Sequence, residues 1–295
     1  MASKHSSSAA AGARYAFFRS MGDAGAARRV FGGAAVAAGA AGAHVAVALR
    51  DARGTVRCSG CVLRAHWALT AAHCVSARLA SVQYGSTAGA GGVTAIQLLY
   101  RHPHYAVEQR DDGWGPDVTA LRHDVGLVRT RNAMRLPGAP FNLRVFRPET
   151  LYDEEVEVLG FGRTERSVLG EELRAVRLRL TACERASWRH CVCGAADELR
   201  GVCSGDSGGP VMYRGALIGV TSMGPTQCAQ AGAAPPAAAT SVFTALYPYA
   251  DLIDATIRDT DSGRVSAAAC ARRCDALTTL WPIICVLSNF ATVNH

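Results

Sequence analysis

Blocks of lysine and arginine are missing from this chain of 295 residues, and so is any interleaving of basic with aromatic side chains. The net charge of +7, from 31 Lys+Arg against 24 Asp+Glu, is carried almost wholly by scattered arginines. Charge dispersed in this way acts on solubility and leaves no footprint for a nucleic acid, so no nucleic-acid partner is expected. Aromatics are sparse at 7% and charged residues amount to only 19%, yet 49% of the chain is apolar. That is too much apolar surface, too rich in Val, Leu and Ile, for a disordered chain. A convincing secretory leader is also lacking, because Ala9-Ala10-Ala11-Gly12-Ala13 is too short and too weakly apolar for its core. The uncharged stretch 276–293 is broken by Pro282, Ser288 and Asn289, so membrane association is not expected. Small residues at Ser266 to Ala269 ahead of that stretch leave a lipid-anchor signal as the alternative. No internal repeat is found.

Thirty Gly and eleven Pro punctuate the chain, which favours a turn-rich all-β body. Short apolar runs, several with period two, recur at His44 to Leu49, Ala68 to Thr70, Ile96 to Tyr100, Val156 to Leu159, Val176 to Leu180 and Ala216 to Val220. Then Leu246, Tyr249, Ala250, Ile253 and Ile257 recur at three- and four-residue spacing, which predicts one amphipathic helix closing the β body. Ala34 to Ala43 and Ala231 to Ala239 read as loops. Residues 1–29 form an Ala/Ser/Gly-rich leader ending in Arg28-Arg29, residues 30–258 the body, and residues 259–295 a Cys-containing tail of unknown role.

Eleven cysteines point to an oxidising compartment, and the odd count leaves at least one thiol unpaired within the chain. Cys58 and Cys61 with His73-Cys74, together with Cys191 and Cys193, permit a zinc or redox cluster as an alternative. Other patterns explain these segments better, so no metal and no other cofactor is expected.

The chemistry concentrates in Cys203-Ser204-Gly205-Asp206-Ser207-Gly208-Gly209-Pro210. A serine between glycines can sit on a tight turn beside free backbone N–H groups, the arrangement a nucleophile and an oxyanion site require. Its proton needs a base, which Thr70-Ala71-Ala72-His73-Cys74 supplies, and an imidazole in that role needs an orienting acid. His123-Asp124-Val125 places a lone acid at the mouth of an apolar strand.

These motifs, in the order His, Asp, Ser, resemble the chymotrypsin-like (trypsin-fold) serine proteases from Val30 to about Arg258. Gly160-Phe161-Gly162 and His102-Pro103-His104-Tyr105 resemble further motifs of that family. The resemblance implies two six-stranded antiparallel β-barrels with the active site between them, closed by a C-terminal α-helix. It makes His73 the general base, Asp124 its orienting partner and Ser207 the nucleophile, with an oxyanion hole at the N–H groups of Gly205 and Ser207. Arg29-Val30 resembles an activation site, at which the new ammonium of Val30 would pair with Asp206. It also implies disulfides Cys58–Cys74, Cys183–Cys193 and Cys203–Cys228, leaving Cys61, Cys191, Cys270, Cys274 and Cys285 unassigned. The acid-free loop 84–92 implies no calcium site. The long stretch Tyr105 to Asp124 is expected to overhang the cleft near His73.

By the same resemblance the base of the specificity pocket is the uncharged Gly201, its wall includes Ser222 and Gly224, and Ser241 takes the third determining position. Cleavage after apolar residues is then expected, with Gly224 leaving the entrance open to a large side chain. A small-residue, elastase-like preference is the runner-up. The implied partners are protein or peptide substrates, an activating trypsin-like protease and protein protease inhibitors, and the implied location is extracellular, by secretion. A catalytically dead relative acting as a binding or cofactor protein is the alternative, disfavoured by the complete triad. His44, His66, His102 and His190 read as surface or packed groups.

Overall fold

The structure is a computed structural model that describes residues 15–16, 33–36, 44–85, 91–111, 116–135, 143, 146–162, 172–195, 201–225, 240–263 and 284–285. Its strands are β1 (Ala46–Asp51), β2 (Val56–Arg64), β3 (Trp67–Thr70), β4 (Leu79–Tyr84), β5 (Gly92–Arg101), β6 (Ala106–Asp111), β7 (Pro116–Arg122) and β8 (Gly126–Thr130) in the first half. The second half adds β9 (Glu155–Gly160), β10 (Arg174–Thr181), β11 (Trp188–Arg189), β12 (Cys191–Ala195), β13 (Pro210–Tyr213), β14 (Ala216–Pro225), β15 (Ser241–Ala245) and the helix α1 (Ala250–Asp261).

Two closed six-stranded antiparallel barrels result. The first runs β8-β3-β2-β1-β4-β5 and closes by pairing β5 with β8; the second runs β14-β13-β9-β10-β12-β15 and closes β15 onto β14. Closure removes the open edges that antiparallel sheets otherwise expose. Alternation decides which side chains fill each barrel. In β10, Val176, Leu178 and Leu180 are buried while Arg177 and Arg179 between them face solvent, and they pack with Val156, Val158 and Phe243 inside the second barrel. Leu49, Val62, Ala68, Val82, Leu99 and Val128 fill the first.

The predicted helix forms, with Ile253 and Ile257 buried on one face. That face packs back onto the first barrel beside Trp67, Leu69 and Tyr100. Trp67 Nε1 donates to Asp261 Oδ2 at 3.1 Å, and the hydroxyls of Tyr100 and Thr260 lie 3.1 Å apart. The exposed Arg64–Asp254 pair at 2.8 Å adds little, as ion pairs in water do.

The stretch expected to overhang the cleft is a two-stranded hairpin, β6 with β7, extended by β11 lying parallel to β7. Arg185 ties it down by ion-pairing with Asp117 at 2.8 Å, and Trp188 Nε1 donates to the Val118 carbonyl at 3.1 Å. Part of the expected loop 34–43 is instead sheet: Ala34 and Ala35 pair with Ala175 and Arg174. Alanine carries no alternation, so pattern could not reveal this. Tyr15–Ala16 pairs antiparallel with the end of β14, and Ile284–Cys285 with the end of β5. No helix among the described residues is long and apolar enough to cross a membrane.

Candidate active site

His73 sits on a single 3-10 turn, Ala72–Cys74, directly after β3. The next residue, Cys74, is bonded to Cys58 on β2, which pins the turn to the barrel wall. Asp124, fully buried just before β8, grips this residue twice: Oδ1 accepts the His73 backbone N–H and Oδ2 lies against ring Nδ1, both at 2.9 Å. With the Nδ1 proton held by the carboxylate, Nε2 is left to accept another. Burial, then the Asp124 charge, raises the Tyr105 phenol. At Tyr249 burial acts first, followed by the nearby Cys191 and Asp124. Both phenols therefore stay protonated around the carboxylate.

Ser207, 4% exposed, lies on the turn between Cys203 and β13, in the second barrel. The turn needs its glycines. Gly205 has φ +94° and Gly208 φ +80°, and a Cβ on Gly208 would lie 2.0 Å from Thr70 Oγ1 and 2.5 Å from the Ser59 carbonyl. Ser59, on β2, reaches across from the first barrel. Its N–H donates to the Ser207 carbonyl (2.8 Å), its hydroxyl donates to the Gly205 carbonyl (2.8 Å), and its Oγ accepts the Phe161 N–H (2.8 Å). Cys74 Sγ lies 3.6 Å from the same Ser207 carbonyl, so the His73 turn and the Ser207 turn abut. The turn is fixed further by Gly208 N–H to the Thr221 carbonyl (2.7 Å) and Thr221 N–H to the Gly209 carbonyl (2.9 Å). No acceptor among the described residues takes the N–H of Gly205 or Ser207, leaving two donors at the turn for a developing negative charge.

Asp206 points away from Ser207 into the protein, 1% exposed. Its carboxylate accepts N–H groups from Gly162 (2.9 Å) and Cys203 (3.0 Å). It fills the space that side chains at 160 and 162 would need: a Cβ on Gly160 would lie 2.0 Å from Oδ1 and one on Gly162 2.5 Å. Burial drives its pKa from 3.8 up to about 7, against the pull of the two N–H donors. No ion pair to Asp206 forms among the described residues. Arg29 and Val30 lie outside the described residues.

The four residues expected around the pocket are brought together and are buried. A Cβ on Gly201 would lie 3.2 Å from Ser241 Oγ, which accepts the Val202 N–H at 3.0 Å. The Ser222 and Thr244 hydroxyls share a hydrogen bond of 2.7 Å. No charged group belongs to this set. Contrary to the expected open entrance, a Cβ on Gly224 would lie 2.5 Å from the Val202 carbonyl. The bare glycine here lets the two walls touch.

Cys58–Cys74 and Cys183–Cys193 are disulfides with Cα separations of 6.2 and 5.0 Å. Cys203 is also disulfide-bonded; its expected partner Cys228, like Cys270 and Cys274, lies outside the described residues. Cys61 and Cys191 are free thiols, both pushed up by burial. The ligand atoms of Cys58, His73 and Cys74 lie within 4.8 Å of one another, but both sulfurs are spent in one disulfide and offer no thiolate to a metal.

Sequence reasoning missed Ser59, an ordinary residue in an apolar strand, and it missed an imidazole cluster behind Asp124. His102 and His123 stack at 4.4 Å, His104 and His190 lie 6.2 and 5.7 Å from His123, and the Tyr249 hydroxyl is 3.1 Å from His123 Nδ1. Burial, then mutual repulsion with His123, His104 and His190, pushes His102 down to about 4. His123 and His190 are lowered too, again mainly by burial.

Residues 30–253 match the family model described as Trypsin. Among curated relatives, glandular kallikrein of Sus scrofa is 28% identical over 222 residues, 69% of this chain and 87% of the relative. Trypsin 5G1 of Aedes aegypti is 27% identical over 59% of this chain and 68% of its own length. Kallikrein-12 of Homo sapiens is 25% identical over 70% and 82%. The solved structure of neuropsin, a serine protease expressed in the limbic system of mouse brain, superposes with a TM-score of 0.61 at 21% identity, covering 77% of this chain and 99% of that one. Barrels, closing helix and family match agree: the chain belongs to the trypsin family and is a serine endopeptidase.

Proposed function

We propose that His73, Asp124 and Ser207 hydrolyse peptide bonds by acyl-enzyme chemistry. The observation that carries this reading is the two-point grip of Asp124 on His73, set directly against the Ser207 turn. Neutral His73 takes the Ser207 proton as the hydroxyl attacks the scissile carbonyl. The resulting oxyanion is received by the N–H groups of Gly205 and Ser207, and the imidazolium returns the proton to the leaving amine. Water then repeats the cycle on the acyl-enzyme.

The enzyme is made as a zymogen, activated after Arg29 by a trypsin-like protease. What supports this is Asp206: a buried carboxylate with two N–H donors and no ion-pair partner among the described residues is a socket for the ammonium freed at Val30. Burying such a pair stabilises one conformation only when both charges are present, which suits a switch. The disulfides fit secretion into an oxidising space, where protein inhibitors of proteases are further partners.

Apolar residues are preferred before the scissile bond. Gly201, Ser222, Gly224 and Ser241 offer a buried cation no counter-charge, and its desolvation would be uncompensated. Large apolar side chains such as Phe, Tyr, Leu and Met are the first reading; the close approach of Gly224 to the Val202 carbonyl is the observation on which the second, small side chains such as Ala and Val, rests. The test of the catalytic reading is an organophosphonate probe applied after trypsin treatment of the full chain. Labelling at Ser207, absent in Ser207→Ala, supports it; no labelling after cleavage at Arg29 refutes it.

A further inference from the structure

We propose that the Gly224–Pro225 edge of β14 is a docking groove for the chain's own leader, and that the leader released by cleavage is a competitive inhibitor of the activated enzyme. The proposal rests on the catalytic reading for its inhibitory half only. Pairing of β14 with β15 ends at Met223, so the last two residues of β14 project as an edge beyond the barrel. Tyr15 pairs with Pro225 and Ala16 with Gly224, antiparallel, completing that edge. The same dipeptide also lies close to β7 of the hairpin. An extended segment is thus paired to a sheet edge beside a flap, the manner in which strand addition recognises peptides through their backbone.

Direction makes this substrate-like. The antiparallel register runs Tyr15 to Ala16 from Pro225 to Gly224, in the direction of Ser222, and the neighbouring Thr221 is bonded to Gly208 and Gly209 on the turn that bears Ser207. A chain entering along this edge is aimed at the nucleophile. After Ala16 the sequence continues Phe17-Phe18, apolar residues of the class proposed for the pocket. Residues 1–29 contain no cysteine, so once the link after Arg29 is cut no disulfide of these residues retains them.

Two measurements test the proposal. In the full chain, hydrogen exchange of segment 222–225 should be at least about tenfold faster in Ala16→Pro, which removes the N–H facing Gly224, and unchanged in Ala16→Ser, which keeps it. Equal exchange in wild type and Ala16→Pro overturns the docking. Next, the full chain is cleaved with trypsin and given a fluorescein-labelled peptide of residues 1–29. Saturable binding by anisotropy is expected, together with a raised KM and unchanged kcat for a peptide substrate. The Ala16→Pro peptide should bind about tenfold more weakly, the loss expected for about one backbone hydrogen bond. Absence of binding, or equal binding by both peptides, overturns the proposal. Should the cleaved protein label with no phosphonate and cleave nothing, the catalytic reading fails, while exchange and anisotropy still decide the docking.

Discussion

Asp206 makes the stability of the uncleaved chain depend on pH in the direction opposite to that of an ordinary salt-bridged aspartate. The unfolded chain releases this proton near 3.8, while the folded chain holds it to about 7. Between those values the folded state binds more protons than the unfolded one, so stability falls as pH rises, and the loss is complete above about 7. A difference of roughly 3 units corresponds to roughly 4 kcal/mol. The His102 cluster acts with the other sign. The imidazoles of His102, His123 and His190 titrate below the usual histidine range when folded, so the stability they contribute is lost as pH falls from about 6.5 towards 4. The discriminating quantity is therefore the difference between wild type and Asp206→Asn. Urea unfolding at pH 4, 5, 6, 7 and 8, on chains carrying Arg29→Gln to block cleavage, should show Asp206→Asn gaining on wild type by roughly 4 kcal/mol across this range. A constant offset is also expected, because the Asn amide sets a donor against the N–H of Gly162 or Cys203; only the slope is diagnostic. In the cleaved wild-type protein the Val30 ammonium should hold the carboxylate ionised and flatten the slope. A pH-independent difference in the uncleaved chain refutes the reading of Asp206 as an empty socket.

His73→Ala and Ser207→Ala should each lower kcat by roughly 10^4- to 10^6-fold, and the double variant should be little worse than either single one; additive losses, measured with a chromogenic peptide, would argue against a shared triad. Ser59→Ala strips partners from the Gly205 carbonyl and the Phe161 N–H, so it should cost about 3 kcal/mol in urea unfolding and lower kcat about tenfold with KM little changed. A peptide-library profile of the cleaved enzyme should be dominated by cleavage after Phe, Tyr, Leu or Met. Dominance of Arg or Lys contradicts the uncharged pocket, and dominance of Ala or Val shows that the Gly224–Val202 contact persists.

Period-two runs such as Val176 to Leu180 announced strands because one face of that strand is buried and the other wet; that the strands close into two barrels came from the resemblance. The Ser207 turn was legible because its glycines are demanded by local geometry, so chemistry and backbone leave the same mark. Ser59 left none: its bonds run to residues 205, 207 and 161, distant in sequence and joined only by packing the barrels. The imidazole cluster is gathered from positions 102, 104, 123 and 190 around Tyr249, none of which is informative alone. The hairpin β6–β7 escaped notice because most of β6 is exposed, which removes the apolar alternation that marks a half-buried strand.

The helix α1 is the last long element among the described residues, yet it packs back onto the first barrel: Asp261 serves Trp67 on β3, and Thr260 serves Tyr100 on β5. On a ribosome the first barrel emerges long before the residues that cap it, and both barrels must dock before Ser59 can hold the Ser207 turn. A nascent chain that ends between Ser207 and Asp261 therefore carries the whole triad in its sequence while Trp67 and Tyr100 still lack the partners that α1 supplies.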